Sequence, residues 1–485
     1  MILRELILNI SIVLLCVLSV SSEITMNNTK TYIEVINSLS NYPETFLGGF
    51  KDADISLNCK KALRYYKTGL VNQEEWAIQM LDAMSKLQSG ILEGNLYNLG
   101  AYDECQSIRD VKVHIQPKDK NIGESMTLIN GKYCLGSIQL GRLGFYWAMC
   151  APDACSADDL NKIIQVIKVP IVFTEDRCHD PSQDPEITDG DIAVITCFGI
   201  ILAIMATSSV YDVFLRYFEK KTVHPLLLAF SVVTNGEKLF ATKEPGTAGD
   251  QLECLSGIRS FSMMWVVLGH IFSNTSTIGA TNMIKLLEFM TDGWTMYIRG
   301  ATVAVDSFFL MGGVVMIYVY LKSTKNKQTF NVFLYYLHRY LRLTPALAAV
   351  LAVHLTILKH FGSGPFWNFI EAYGVVNCRK YWYGVLFYIQ NYTNAYEMCI
   401  GHTWYLSVDT QLFVLSPLIL FPIKRWPKLT LAAVLILTLA SISSSFALAW
   451  VYELIDGNSL TATPQQTEDH SRLYYTATYS RAAPG

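Results

Sequence analysis

Six stretches of mostly apolar residues, at 191–211, 257–277, 301–321, 343–359, 403–421 and 429–451, constrain this chain more than anything else in it. Most have the roughly 20 residues a helix needs to cross a bilayer. In hydrocarbon every backbone N–H and C=O must be satisfied within the chain, so such stretches fold as helices. A mean hydropathy of +0.27 and a charged fraction of only 16% over 485 residues agree. The expected fold is therefore mainly α: a multi-span helical membrane protein in a lipid bilayer. The fourth stretch is the shortest. A formal net charge of −3 argues against a nucleic-acid partner.

The second stretch carries an arginine and a histidine, Arg259 and His270. Ionisable side chains are costly in a span, so they face a protein interior or a wet cavity and mark function. Eleven steps of about 100° return to within roughly 20° of the start, about 16 Å further along the axis. Both residues therefore share one helix face at two depths.

Before the spans, residues 1–22 hold an early arginine, an apolar run and a small-residue exit, the pattern of a signal peptide, with a first transmembrane helix as the alternative. Residues 23–190 have no span-length apolar run and contain Cys59, Cys105, Cys134, Cys150, Cys155 and Cys178. Six cysteines in an exported domain read as three disulfides among themselves, whose connectivity stays open among fifteen. The spacings lack paired C-x-x-C units, which argues against zinc and leaves no metal site expected. Apolar residues at helical spacing over 74–87 make this a disulfide-rich, mostly helical domain. Asn27 begins a glycosylation sequon suited to an exported segment. Residues 191–211 are then the first transmembrane helix, 212–256 a cytoplasmic linker and 257–485 a membrane domain of five helices.

Basic residues support that topology. The loops expected in the cytosol, 212–256, 322–342 and 422–428, hold five, five and three Lys or Arg. The loops expected outside, 278–300, 360–402 and 452–485, hold two each, so thirteen face six, as the positive-inside rule requires. One exterior loop contains both Cys378 and Cys399, predicted to bridge, with a second sequon at Asn391 between them.

At a rise of about 1.5 Å per residue, His270 lies about 20 Å above the cytosolic entry of its helix. Asp306 and Asp409 lie five and six residues inside the exterior ends of theirs. All three are expected at one height in the outer half, with Arg259, Arg339 and Arg342 clustered at the cytosolic end. Cationic mouth and His/carboxylate centre suit acyl transfer across the membrane. Arginines offer planar, permanently charged donors to the phosphates of coenzyme A. A neutral histidine takes the proton of an attacking hydroxyl, and a carboxylate steadies the imidazolium. Simpler roles fit the same residues: arginines anchored to lipid phosphates, a packing histidine, and aspartates capping helix N-termini.

The stretch from Leu255 to His270 resembles the opening motif of the membrane acyltransferase-3 family. Asp306-Ser-Phe-Phe-Leu-Met-Gly-Gly313 resembles that family's S/D-x-F-F-x-x-S/G-G helix, and Arg339-Tyr-Leu-Arg342-Leu-Thr-Pro345 its R-x-x-R-x-x-P segment. Trp404-Tyr-Leu-Ser-Val-Asp409-Thr-Gln-Leu-Phe413 resembles its W-x-L-x-x-E/D-x-Q-F helix, with aspartate where glutamate is commoner. The earlier region is similar to the N-terminal domain of the nose resistant to fluoxetine family in Trp76-Ala77, Gly94-Asn95, Asp103-Glu104-Cys105, Tyr133-Cys134 and Cys150-Ala-Pro-Asp-Ala-Cys155-Ser156. The resemblance implies a membrane O-acyltransferase of the secretory pathway, in the endoplasmic reticulum or plasma membrane. It would hold no bound cofactor and take acyl-CoA as cosubstrate. His270 would be the base, Asp306 or Asp409 its orienter, and Arg259, Arg339 and Arg342 the phosphate clamps. The other function it allows is a non-catalytic carrier or receptor for lipids or hydrophobic small molecules. About ten helices are usual in the family's acyltransferase region, so the chain reads as stopping inside that bundle.

Overall fold

The computed structural model describes residues 53–454, apart from 87, 115–125, 141–142, 167–170, 219–223, 242–252, 279, 326–328, 394 and 396, together with 472–473. The expected signal segment 1–22 and the Asn27 sequon lie outside the described residues.

The first domain is built around a hairpin of two long strands, β4 (Gly131–Leu140) and β5 (Leu143–Pro152), paired from Gly131↔Pro152 to Leu140↔Leu143. A short β1 (Tyr97–Asn98) runs parallel to β5, and β6 (Cys178–His179) antiparallel to β4. The ribbon of β2 (Val111–His114) and β3 (Met126–Ile129) stands apart. Around the sheet lie α1 (Leu57–Val71), α2 (Glu75–Asp82), α3 (Tyr102–Ser107) and α4 (Ala157–Val166). Helices carry more residues than strands, yet the centre is a sheet that no alternating pattern announces. The hairpin is covered on both faces, with Tyr133, Leu135, Trp147 and Met149 all at most 2% exposed, so its strands read as apolar runs. The helix expected over 74–87 ends at Asp82, because Ser85 pairs its backbone with Ala148 of β5 and its hydroxyl accepts from the Ala148 N–H at 2.8 Å.

Three disulfides staple this domain. Cys59–Cys155 holds α1, Cys105–Cys150 holds α3 to β5, and Cys134–Cys178 joins facing residues of β4 and β6. Cys59, Cys105, Cys134, Cys150, Cys155 and Cys178 thus pair among themselves. At Gly131 a side chain would meet the Cys105 carbonyl oxygen at 2.2 Å, so the disulfide-bound end of α3 requires glycine there.

Among the described residues five helical segments are long and apolar enough to cross a membrane: α5 (Asp189–Tyr217), α7 (Glu253–Ile278), the segment 293–325 ending in α9 (Val303–Lys325), the segment 401–425 formed by α12 (Trp404–Leu415) and α13 (Pro417–Arg425), and α14 (Pro427–Val451). Between α5 and α7 lies α6 (Val232–Phe240), tied to the end of α5 by buried Asp212, which accepts from Ser231 Oγ at 2.5 Å and Thr234 Oγ1 at 2.6 Å. The fourth expected span belongs to a longer helix, α10 (Val332–Leu355), whose 24 residues cover about 36 Å. His338, Arg339 and Arg342 in its first half hide that half from hydropathy, but Asn331 caps it by accepting from the Leu334 N–H at 3.1 Å. From there α10 starts near the end of α9 and finishes beside the head of α5, so it runs the depth of the bundle. The exterior loop beyond it contains α11 (Trp367–Leu386), bent at Tyr381, and the expected Cys378–Cys399 bridge, with Cα atoms 4.1 Å apart.

The disulfide domain is seated on the loops around α8 (Met283–Thr291) and after α10. Gly94 lies against α8, where a side chain would come within 2.8 Å of the Ile284 N atom. Phe366 packs on Tyr97 and Tyr146, at ring separations of 6.4 and 6.0 Å. Lys359, in the turn after α10, donates to Asp191 at 2.9 Å and to the Glu186 carbonyl at 2.9 Å.

Candidate functional site

The arrangement of α7, α9, α10 and α12 positions the candidate residues. Gly269 lets α7 come so close to Ala301 that a Cβ would stand 2.5 Å from the alanine methyl. Trp265 of the same helix donates its indole N–H to the Tyr297 carbonyl. Phe309 of α9 lies 4.6 Å from the Tyr405 ring of α12. Between α10 and α12 the contacts run in antiparallel order. Tyr335 reaches Ser416 at 2.9 Å, Tyr336 donates to the Val414 carbonyl at 2.8 Å, and Arg339 donates to Asp409. Phe413 is held in this ladder, stacked on Tyr335 at 4.0 Å and covered by the Arg339 guanidinium at 4.2 Å.

One expectation is corrected by this ladder. Arg339 and Asp409 were placed at opposite ends of the bundle, and they form an ion pair, each side chain 27% exposed. Helix α10 starts eleven residues before the apolar stretch, so Arg339 sits on its second turn and its long side chain reaches the first half of α12. A half-buried carboxylate in an apolar bundle is stabilised by the nearest fixed cation, which an outer-half histidine does not provide. Tyr405 stands one helical turn before Asp409 on α12. The Arg339 Nε and Thr410 Oγ1 are buried without partners among the described residues.

His270 stands apart from Asp409. It is exposed on α7, and its electrostatic neighbour is His402, just ahead of α12, which also senses His354 at the end of α10. Sequence reasoning missed His402 and His354, although His402 directly precedes the Thr403-Trp404 motif. Among the described residues no group of three His, Cys, Asp or Glu could hold a metal ion, so the three histidines read as a polar cluster. Asp306 is half-buried in the first turn of α9, and Arg342 is exposed.

Asn391 is a second correction. Its side chain is fully buried, donating to Gln411 Oε1 at 3.1 Å and accepting from Gln411 Nε2 at 2.8 Å, which leaves no room for a glycan. A sequon registers only local sequence, and here the amide is used to clasp α12.

Comparison with known proteins adds to the geometry. The family model of the nose resistant-to-fluoxetine protein N-terminal domain matches residues 59–164, and that of an acyltransferase domain matches 252–462. Nose resistant to fluoxetine protein 6 of Caenorhabditis elegans is 26% identical over 431 residues, covering 73% of this chain and 50% of that protein. Regulator of hypoxia-inducible factor 1 of the same organism is 23% identical over 205 residues, covering 39% of this chain and 38% of that protein. The chain thus spans about half the length of the first of these relatives, or less for the second. No solved structure matches it.

Proposed function

Taking as premise that this chain joins the N-terminal domain of the nose resistant to fluoxetine proteins to an acyltransferase domain, we propose that it is a membrane O-acyltransferase. It moves an acyl group from cytosolic acyl-CoA to a hydroxyl on a luminal, extracellular or lipid acceptor, in a membrane of the secretory pathway. The observation that carries this reading is on α7: Arg259 and His270 share one exposed face at the start of the acyltransferase region, and neither is used in an ion pair among the described residues.

The roles divide as the geometry suggests. His270 takes the proton as the acceptor oxygen attacks the thioester carbonyl; the C–S bond breaks and the sulfur leaves as thiolate, which recovers the proton. Asp306 or Asp409 is the carboxylate assigned to steady the imidazolium, Asp409 being also the partner of Arg339. Arg259 and Arg342, both exposed, are assigned to the phosphates of the cosubstrate, while Arg339 fixes α10 to α12.

Release of free coenzyme A by the purified chain in lipid nanodiscs tests the reading. His270→Ala is expected to lower turnover by about 10²-fold or more. Arg259→Ala is expected to raise KM for acyl-CoA with little change in kcat. Unchanged turnover in His270→Ala would sink the mechanism, and binding of a lipid or hydrophobic compound with no coenzyme A release would favour a carrier.

A further inference from the structure

The seam between the disulfide domain and the loop after α10 holds a half-open cavity of about 500 Å³, within the range of small-molecule sites. It is separate from the helices that carry Arg259, His270 and Asp409. One wall comes from α3 and the segment around β6, with Tyr102, Asp103, Gln106 and Asp184. The other comes from the loop between α10 and α11, with Lys359 and Trp367.

Which ligand the cavity suits follows from the charges that are already spent. Arg109, on its rim, donates to Asp184 at 2.8 Å, and His179 lies 3.2 Å from the same carboxylate. Lys359 is taken by Asp191 and the Glu186 carbonyl. Both lining cations other than histidine are therefore matched. Asp103, exposed at the head of α3, makes no ion pair among the described residues. Gln106 is 7% exposed and donates from Nε2 to the His179 carbonyl at 2.9 Å, while its Oε1 is buried without a partner among the described residues. The unmet demand is thus for positive charge and for donors.

Aromatic rings supply the rest. Tyr102 is stacked on His179 and set edge-on to Tyr133 at 4.9 Å, which fixes its ring in one wall. Trp367 lies across Gly362 in the other, so close that a Cβ on Gly362 would be 2.9 Å from the indole. An unpaired carboxylate beside aromatic rings is the environment that attracts an ammonium group through charge and ring quadrupole together.

We propose that this seam cavity binds an organic ammonium compound, with Asp103 as its counter-ion, Tyr102 and Trp367 as its aromatic walls and the Gln106 amide as a hydrogen-bond acceptor. The ammonium can belong to a soluble amine or to a phospholipid headgroup, because the loop forming one wall follows directly on membrane helix α10.

Choline and its neutral isostere 3,3-dimethylbutan-1-ol are the probes, titrated calorimetrically against the whole chain in phosphatidylglycerol nanodiscs. Choline is expected to bind at least tenfold more tightly than the alcohol, and Asp103→Asn to erase that difference. Ser107→Trp, which fills the cavity from an exposed position, is expected to abolish binding of both. Thermal unfolding checks that each variant is folded. Tight choline binding in phosphatidylglycerol discs identifies a soluble amine. If choline is held weakly there but displaced competitively in phosphatidylcholine discs, with the same Asp103 dependence, the headgroup is the source. Equal affinity for choline and alcohol, choline binding unaffected by Asp103→Asn, or no binding to the folded chain in either disc would overturn the proposal.

Discussion

Asp159 is 4% exposed and accepts from the backbone and hydroxyl of Ser56, at 2.7 and 2.9 Å, and from those of Ser156, at 3.2 and 3.0 Å, thereby tying the heads of α1 and α4 together. Burial pushes its carboxyl up, but the hydrogen bonds from Ser56 and Ser156 outweigh burial and hold it below the ordinary 3.8. A depressed carboxyl adds stability above its unfolded value, and that contribution is lost as pH falls through the folded value. Asp159→Ala is therefore expected to destabilise the exported domain by about 2–3 kcal/mol at neutral pH, since it strands buried donors. The deficit should shrink on acidification below about pH 4, a difference that denaturant titrations at several pH values would show. Arg339 and Asp409 behave differently, because each is the other's charge partner in an apolar setting. Arg339→Ala is expected to cost about 3–5 kcal/mol by leaving Asp409 uncompensated, and Arg339→Met with Asp409→Leu to cost much less. Equal thermal unfolding of the single and double variants would refute this. At this scale the sequence declared residue types well and partners poorly. Arg259 and His270 were placed on one face by helical period alone, whereas the Arg339–Asp409 pair depended on a side-chain reach and a helix start that no periodicity contains.

Among the elements, α10 shows why one span was hard to read. Its first half carries His338, Arg339 and Arg342 because it is the half that reaches a partner, and hydropathy counts that as loop. The apolar helices α5, α9 and α14 were legible because lipid demands the same property along their length. In the exported domain the β4–β5 hairpin was hidden for a related reason: burial on both faces removes the alternation by which strands are recognised. The Cys378–Cys399 bridge was legible because topology placed both cysteines in one oxidising loop. It closes that loop behind the bend of α11, next to Gln390 and Asn391, which hold α12 through Thr403 and Gln411. Replacing both cysteines by serine is expected to destabilise this loop by about 3 kcal/mol in the chain-entropy model. Hydrogen exchange should then rise across 378–400 while β4 and β5 stay protected; loss of protection in the hairpin as well would mean that the bridge holds more than its own loop.

In the whole molecule, the disulfide domain packs on the loops around α8 and after α10, and the junction with the helices centres on one carboxylate. Asp191 is fully buried in the first turn of α5, accepts from Thr188 in a capping box, and meets Lys359 at 2.9 Å and His360 at 3.4 Å. Lys359 is itself only 9% exposed and has a second acceptor, the Glu186 carbonyl, in the linker that leaves the domain. One group therefore joins the linker and the adjoining head of the first span to the turn after α10, 173 residues from Glu186 in sequence. Other seam contacts, Phe366 on Tyr97 and Tyr146, the approach of Gly94 to α8 and an exposed Lys285–Glu93 ion pair at 3.6 Å, have no buried charge to strand. Removing the carboxylate leaves the Lys359 ammonium buried and uncompensated, which costs about 3–5 kcal/mol and is relieved most cheaply by letting the turn move out to water. Asp191→Ala is accordingly expected to raise hydrogen exchange and protease cleavage at 356–364 and at 184–188. The β4–β5 hairpin and the three disulfides should keep their protection, because the ladder hydrogen bonds and the cysteine partners lie within the domain even though the Tyr146 ring reaches Phe366 in the seam. Adding Lys359→Met to Asp191→Ala should restore much of the protection, since it removes the stranded charge. If the single variant leaves 356–364 as protected as in the parent chain, the domain is held to the membrane helices by apolar packing, and the Asp191–Lys359 pair is only a cap on α5.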